Sequence, residues 1–98
     1  MIEVNEYFEG NVKSLAFQGS DLPATVAVMA AGEYTFNTTQ REYVTVISGL
    51  LKVKLPEQES FEDFDEGKTF IVDANKSFDL IVENYTAYLC KYEWQAGG

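Results

Sequence analysis

The sequence predicts a single all-β domain closed into a jelly-roll barrel. Three observations lead there. Turn signals recur roughly every 8–12 residues, the all-β spacing, from Gln18-Gly19-Ser20-Asp21 through Ser48-Gly49 to Glu83-Asn84. Six Tyr and seven Phe stand against two Pro, a balance that favours strands over a helical bundle. Many short antiparallel strands in 98 residues must close or sandwich to protect their edges.

The elements follow in order. Met1–Phe8 reads as a short helical or irregular lead-in. Strands are expected near Val12–Phe17, Thr25–Met29, Tyr34–Asn37, Tyr43–Ser48, Leu50–Leu55, Phe61–Phe64, Thr69–Val72, Phe78–Val82 and Tyr85–Tyr92. Between them lie the turn formers Ala31-Gly32, Thr38-Thr39-Gln40, Pro56-Glu57-Gln58, Glu66-Gly67 and Asp73-Ala74-Asn75-Lys76. In Leu51-Lys52-Val53-Lys54-Leu55 the period is two, so Leu and Val face a core and both lysines face water. Val46–Leu51 reads as a hairpin corner, with Gly49 supplying a permissive backbone. In the acidic run Glu57–Glu66, Phe61 and Phe64 are expected to turn inward. The domain spans 1–94, and Gln95–Gly98 forms a mobile tail with little to bury.

Charge narrows the partners. The net charge is −9, with no basic stripe, so nucleic acid and anionic membranes are disfavoured. A small anion remains open, because a few local cations outweigh global charge at close range. No signal-peptide pattern and no long apolar run occur, and the single Cys90 cannot form an internal disulfide. These features point to the cytoplasm. So small a core also gains from pairing, so a homodimer is expected.

The chain contains no histidine. That removes Ser-His and Cys-His nucleophile pairs and the commonest transition-metal ligand. One cysteine excludes a Cys-rich zinc site. A carboxylate-only magnesium or calcium site stays open, although no EF-hand loop is present, and no Gly-rich phosphate loop occurs.

Spacing adds a positive signal. Glu42 lies seven residues before Gly49. Gly67, Asp73, Asn75 and Phe78 reproduce the frame Gly-x5-Pro-x-Gly-x2-His with its last three named positions replaced. Both stretches resemble the two motifs of cupin barrels, whose metal-ligating Glu would be Glu42. The cupin histidines would fall on Thr35 and Asn37, or on Phe36 and Thr38, and on Phe78. The resemblance implies a cupin-type barrel without the metal site.

A closer likeness runs through nearly the whole chain. The stretches NEYFEGNVKSLAF (Asn5–Phe17), GEYTF (Gly32–Phe36), TVISG (Thr45–Gly49) and YLCKY (Tyr88–Tyr92) resemble the small pyrimidine/purine nucleoside phosphorylase family. That resemblance implies a homodimeric, cytoplasmic cupin. It also implies phosphorolysis: nucleoside and phosphate give free base and pentose 1-phosphate. No cofactor is expected, since inorganic phosphate is the co-substrate and itself attacks.

Candidate residues follow, each with a plainer alternative. Glu42 is expected to be catalytic, contacting a ribose hydroxyl or stabilising the cationic sugar; otherwise it is a solvated strand-end carboxylate. Tyr34, Phe36 and Phe78 are candidates to stack on the base, against ordinary core packing. Thr35, Asn37, Thr38 and Thr45 offer donors to phosphate or sugar, against strand and turn chemistry. Lys13, Arg41 and Lys91 are the candidate phosphate cations, against solvated surface charges. Cys90 is read as a buried small hydrophobe rather than a nucleophile. The competing function is a non-catalytic or regulatory cupin that binds a small sugar or nucleotide. A sugar isomerase or epimerase is a weaker third reading, because such chemistry usually employs His.

Overall fold

The computed structural model describes residues 1–94. The expected tail, Gln95–Gly98, lies outside the described residues. Ten strands are present: β1 Glu3–Tyr7, β2 Val12–Gln18, β3 Pro23–Met29, β4 Gly32–Asn37, β5 Arg41–Ser48, β6 Leu51–Lys54, β7 Glu62–Phe64, β8 Thr69–Val72, β9 Ser77–Val82 and β10 Thr86–Glu93. They form a six-stranded sheet, β1-β2-β3-β10-β5-β8, and a four-stranded sheet, β4-β9-β6-β7. All pairings are antiparallel.

The sheets face each other across one core. Val12, Met29, Val44, Val46, Phe70 and Val72 come from the larger sheet, and Leu51, Val53, Phe78, Leu80 and Val82 from the smaller. The alternation on β6 is as expected: Leu51 and Val53 are fully buried while Lys52 and Lys54 keep solvent contact.

Three expectations change. The lead-in is a strand: β1 pairs with β2 in the register Val4↔Leu15 and Tyr7↔Val12. Edge pairing overrides its polar composition. A 3-10 turn at Phe8–Gly10 joins the two strands, with Phe8 and Glu9 both at positive φ. The Val46–Leu51 corner is no hairpin, since β5 and β6 belong to different sheets. Gly49, at φ +97°, carries the chain between them, and a Cβ there would meet Thr86 Oγ1 at 2.7 Å. Phe64 is buried, but Phe61 remains exposed at 42% because it precedes β7 and never enters the sheet.

Thr38 ties the sheets together. Its hydroxyl donates to the Asp73 carbonyl at 2.6 Å and accepts from the Lys76 amide at 3.0 Å. Its own amide donates to the Lys76 carbonyl at 2.8 Å. The clamp fixes the end of β4 to the β8–β9 turn, so Thr38 serves turn chemistry. Because this hydroxyl is buried, Thr38→Val strands its partners and should lower stability by about 1–3 kcal/mol. Urea denaturation reads this directly; a loss below about 0.5 kcal/mol would show that the clamp contributes little.

Candidate active site

A cavity of about 170 Å³ lies between the sheets. Its two walls differ in chemistry. The six-stranded sheet supplies Tyr7 (β1), Ser14 (β2), Thr25 (β3), Glu42 and Val44 (β5), Phe70 (β8) and the row Tyr88, Cys90, Tyr92 (β10). The opposite sheet supplies Phe36 and Asn37 (β4), Leu51 (β6), and Phe78 and Leu80 (β9). One wall is rich in hydroxyls and holds the carboxylate; the other is mainly rings and aliphatic chains.

Register puts these groups together. Glu42 pairs opposite Tyr92, and Val44 opposite Cys90. Side chains alternate across a strand, so Glu42 and Val44 point in while Arg41, Tyr43 and Thr45 point out. The Cys90 thiol donates to Glu42 Oε1 at 3.4 Å. The Tyr92 hydroxyl lies 3.0 Å from Thr25 Oγ1. Phe36 stacks on Phe78 with centroids 5.8 Å apart, and Phe8 from the β1–β2 turn packs edge-on against Phe36 at 5.4 Å.

Burial sets the electrostatics. Desolvation pushes the Glu42 carboxyl above its ordinary value, and the thiol hydrogen bond opposes this by less. Desolvation also pushes the Cys90 thiol up, with the Glu42 charge adding to it. Cys90 is therefore a neutral donor and a poor nucleophile. The Tyr88 and Tyr92 hydroxyls are raised by burial as well.

Of the sequence-derived candidates, Glu42, Phe36, Asn37 and Phe78 line the cavity. Tyr34 is buried in the core, its hydroxyl donating to the Ala30 carbonyl at 2.7 Å. Thr35 is exposed and donates to Asp79 at 2.8 Å. Thr45 contacts Thr69 across the outer face at 2.7 Å. The three candidate phosphate cations also lie elsewhere. Lys13 pairs with Glu6 at 3.3 Å, Arg41 with Asp73 at 3.0 Å, and Lys91 with Asp21 at 3.0 Å, all three outside the cavity lining. Strand alternation explains this: each is one residue from an inward-facing position. Sequence reasoning missed Tyr7, Ser14, Thr25, Tyr88 and Tyr92 as lining residues. The period-two pattern of Tyr88-x-Cys90-x-Tyr92 was the available signal for the last two.

The cavity does not fit the cupin metal. Phe78 occupies one ligand position with a ring that cannot coordinate, and Phe36 stacks on it. Among the described residues, no three His, Cys, Asp or Glu side chains are grouped as a metal site requires.

Two facing sheets, a jelly-roll order and a ring-lined interior define a cupin-type barrel. A cupin of the RmlC-like type from Shewanella frigidimarina superposes with a TM-score of 0.75 at 13% identity, covering 98% of this chain and 86% of its own. A Vibrio parahaemolyticus protein of unknown function is closer, with a TM-score of 0.90 at 43% identity over 95% of this chain and 99% of its own. The model of the pyrimidine/purine nucleoside phosphorylase family matches residues 2–92. A Saccharophagus degradans protein of that name is 61% identical over 92 residues, covering 94% of this chain and 98% of the relative. The chain belongs to the pyrimidine/purine nucleoside phosphorylase family.

The raised Glu42 carboxyl has a consequence for stability. A carboxyl raised by folding favours the native state most at low pH, and that contribution is lost as pH climbs through the folded value. Gln does not titrate. Relative to the parent, Glu42→Gln should therefore gain stability as pH rises from about 4 to about 8. Urea midpoints across that range test it, and a difference that stays flat would show that Glu42 is not desolvated.

Proposed function

We propose that this protein is a nucleoside phosphorylase that cleaves the N-glycosidic bond of purine and pyrimidine nucleosides with phosphate. The products are free base and pentose 1-phosphate. The observation that carries this reading is Glu42, among the described residues the one acidic side chain lining the cavity, in a chain that matches the family over residues 2–92.

The geometry suits the chemistry. Glycosidic cleavage builds positive charge on the sugar, as in glycoside hydrolysis. A carboxylate fixed beside that charge in a poorly solvated site stabilises it more than water would. The hydroxyl-rich wall can hold the sugar and phosphate oxygens, with the rings against the apolar face. Phosphate is the nucleophile, so the reaction asks for neither a protein nucleophile nor a metal. The cavity is smaller than the ~300–1,000 Å³ of common ligand pockets. We therefore place sugar and phosphate inside and the base towards the mouth, against rings such as Phe36. Stacking discriminates weakly among bases, which supports broad base tolerance.

The reading includes a cytoplasmic homodimer. The outer face of the six-stranded sheet carries the cross-strand row Val4–Leu15–Val26–Leu89, extended by Thr45 and Thr69. Phe17, Val28 and Ile71, all about half exposed, widen the patch. A contiguous apolar face of this kind marks an interface, and a second copy of the same face is its occupant. The single free cysteine, which is buried, supports the compartment.

Two experiments test this. Purified protein should release base from uridine, inosine or adenosine only when phosphate is present. Glu42→Gln should cut kcat/KM by about 10²-fold or more, the scale set by losing one fixed electrostatic contact. No release with any of the three nucleosides rejects the reading. For assembly, Leu89→Asp should convert a dimer to a monomer by analytical ultracentrifugation with the barrel intact. An unchanged sedimentation coefficient would place the interface elsewhere.

A further inference from the structure

An anion that enters this cavity meets no lysine or arginine among the lining residues. Its polar partners there are the hydroxyls of Tyr7, Ser14, Thr25, Tyr88 and Tyr92, the Asn37 amide, and the Glu42 carboxyl. Among the described residues, no cation pairs with Glu42; its hydrogen bond comes from the Cys90 thiol at 3.4 Å. The titratable groups facing it are Cys90, Tyr88 and Tyr92 from β10 and Tyr7 from β1. Burial holds the three on β10 in their neutral, protonated forms.

This arrangement is hostile to a fully deprotonated oxyanion. A carboxylate and a bare oxyanion repel each other, and poor solvation strengthens the repulsion. A proton between the two oxygens reverses the sign and gives a short, charge-assisted hydrogen bond. Phosphate near neutral pH carries its own proton. Sulfate has the same tetrahedral shape and carries none.

We propose that Glu42 makes the cavity selective for a protonated oxyanion, accepting a hydrogen bond from a P–OH of phosphate and thereby discriminating against sulfate. Glu42 is then a specificity-determining residue for the anionic co-substrate, in addition to facing the sugar. The inference rests on the phosphorolytic reading of the cavity. Recognition by donor-and-acceptor matching discriminates more sharply than recognition by charge alone, because a mismatched group is left facing a like charge. The rise of the Glu42 carboxyl on burial works in the same direction, since it raises the affinity of the pair for the shared proton.

Calorimetric titration with inorganic phosphate and with sodium sulfate tests this on the full chain. At about pH 8 the parent protein should bind phosphate at least ~10-fold tighter than sulfate, and sulfate should tighten as falling pH protonates Glu42, which then supplies the proton itself. Glu42→Gln removes the negative charge and adds an amide donor, so its preference should collapse by about tenfold or more, chiefly through tighter sulfate binding. Glu42→Asp keeps a carboxylate and should keep the preference. Equal binding of the two anions by the parent overturns the proposal, and so does an unchanged ratio in Glu42→Gln. The pH dependence of sulfate binding to the parent decides the matter if the variants fail to fold. Base release is assayed in the same preparation. Release without anion discrimination rejects this inference alone, whereas absence of release rejects the phosphorolytic reading.

Discussion

Glu42 enters the barrel because β5 pairs with β10 in one register, and the rest of the site depends on that pairing. Slippage by one residue would turn Glu42 outward and bring Arg41 or Tyr43 into the cavity. The register is held from both sides. On β5, Val44 and Val46 are almost fully buried beside Glu42. On β10, Thr86 and Cys90 are buried, and β3 pairs along the far edge from Thr86↔Met29 to Lys91↔Ala24. A slip would expose these apolar side chains and bury charges in their place. The pairing also contains an irregularity between Ala87 and Tyr88. Bulges of this kind re-aim side chains near functional sites, and here the strand continues with Tyr88, Cys90 and Tyr92 lining the cavity.

The two walls of the cavity follow from the same topology. Each sheet contributes one face to the interior, so sequence differences between the sheets become chemical differences between the walls. Inward positions on β1, β2, β3 and β10 carry hydroxyls, while those on β6 and β9 carry Leu and Phe. A sugar has polar edges and apolar ring faces, and a cavity of this build can meet both. The polar wall costs stability, since Glu42 is desolvated and its hydrogen bond comes from a thiol, a weak donor. Stability given up locally is the usual mark of a functional position. The β1–β2 turn shows a related tension. Phe8 and Glu9 sit in the left-handed region that side chains disfavour, while the Phe8 ring packs on Tyr34 and Phe36.

Much of this was legible in the chain. The barrel could be read from turn spacing and aromatic content, and Glu42, Phe36, Asn37 and Phe78 from the cupin frame. These signals are local, and periodicity carries them faithfully. The residues that fall outside the cavity lining, and the elements that differ from expectation, share a different cause. Lys13, Arg41 and Lys91 each lie next to an inward position, and only pairing decides which neighbour turns in. The hydroxyl wall draws on four strands spread from Tyr7 to Tyr92, brought together by register alone. The β1 strand was invisible because its polar sequence is ordered by β2 rather than by its own propensity. The Val46–Leu51 corner looked like a hairpin because Gly49 signals a turn without saying which sheet receives the next strand.

The missing cations and the net charge of −9 belong to one electrostatic design. Six of the seven basic residues make ion pairs with acidic side chains, namely Lys13, Arg41, Lys52, Lys68, Lys76 and Lys91. Such pairs leave little positive field to draw anions inward, and the global field opposes them. A nucleoside is neutral and feels no such barrier. The anion must then be recognised at short range, by hydrogen bonds rather than by net charge. Hydroxyls suit that role because each can donate or accept, and phosphate near neutral pH presents both P–OH and P–O⁻ groups. In the proposed reading, Glu42 gains a second donor, beside the Cys90 thiol, when the anion brings a proton. A strong cation beside Glu42 would remove that requirement by holding the carboxylate in a salt bridge, and would weaken its response to charge developing on the sugar. In the proposed reading, the absence of cations from the lining among the described residues and the exposure of Glu42 to the cavity act together, leaving one carboxylate to respond to both the anion and the sugar.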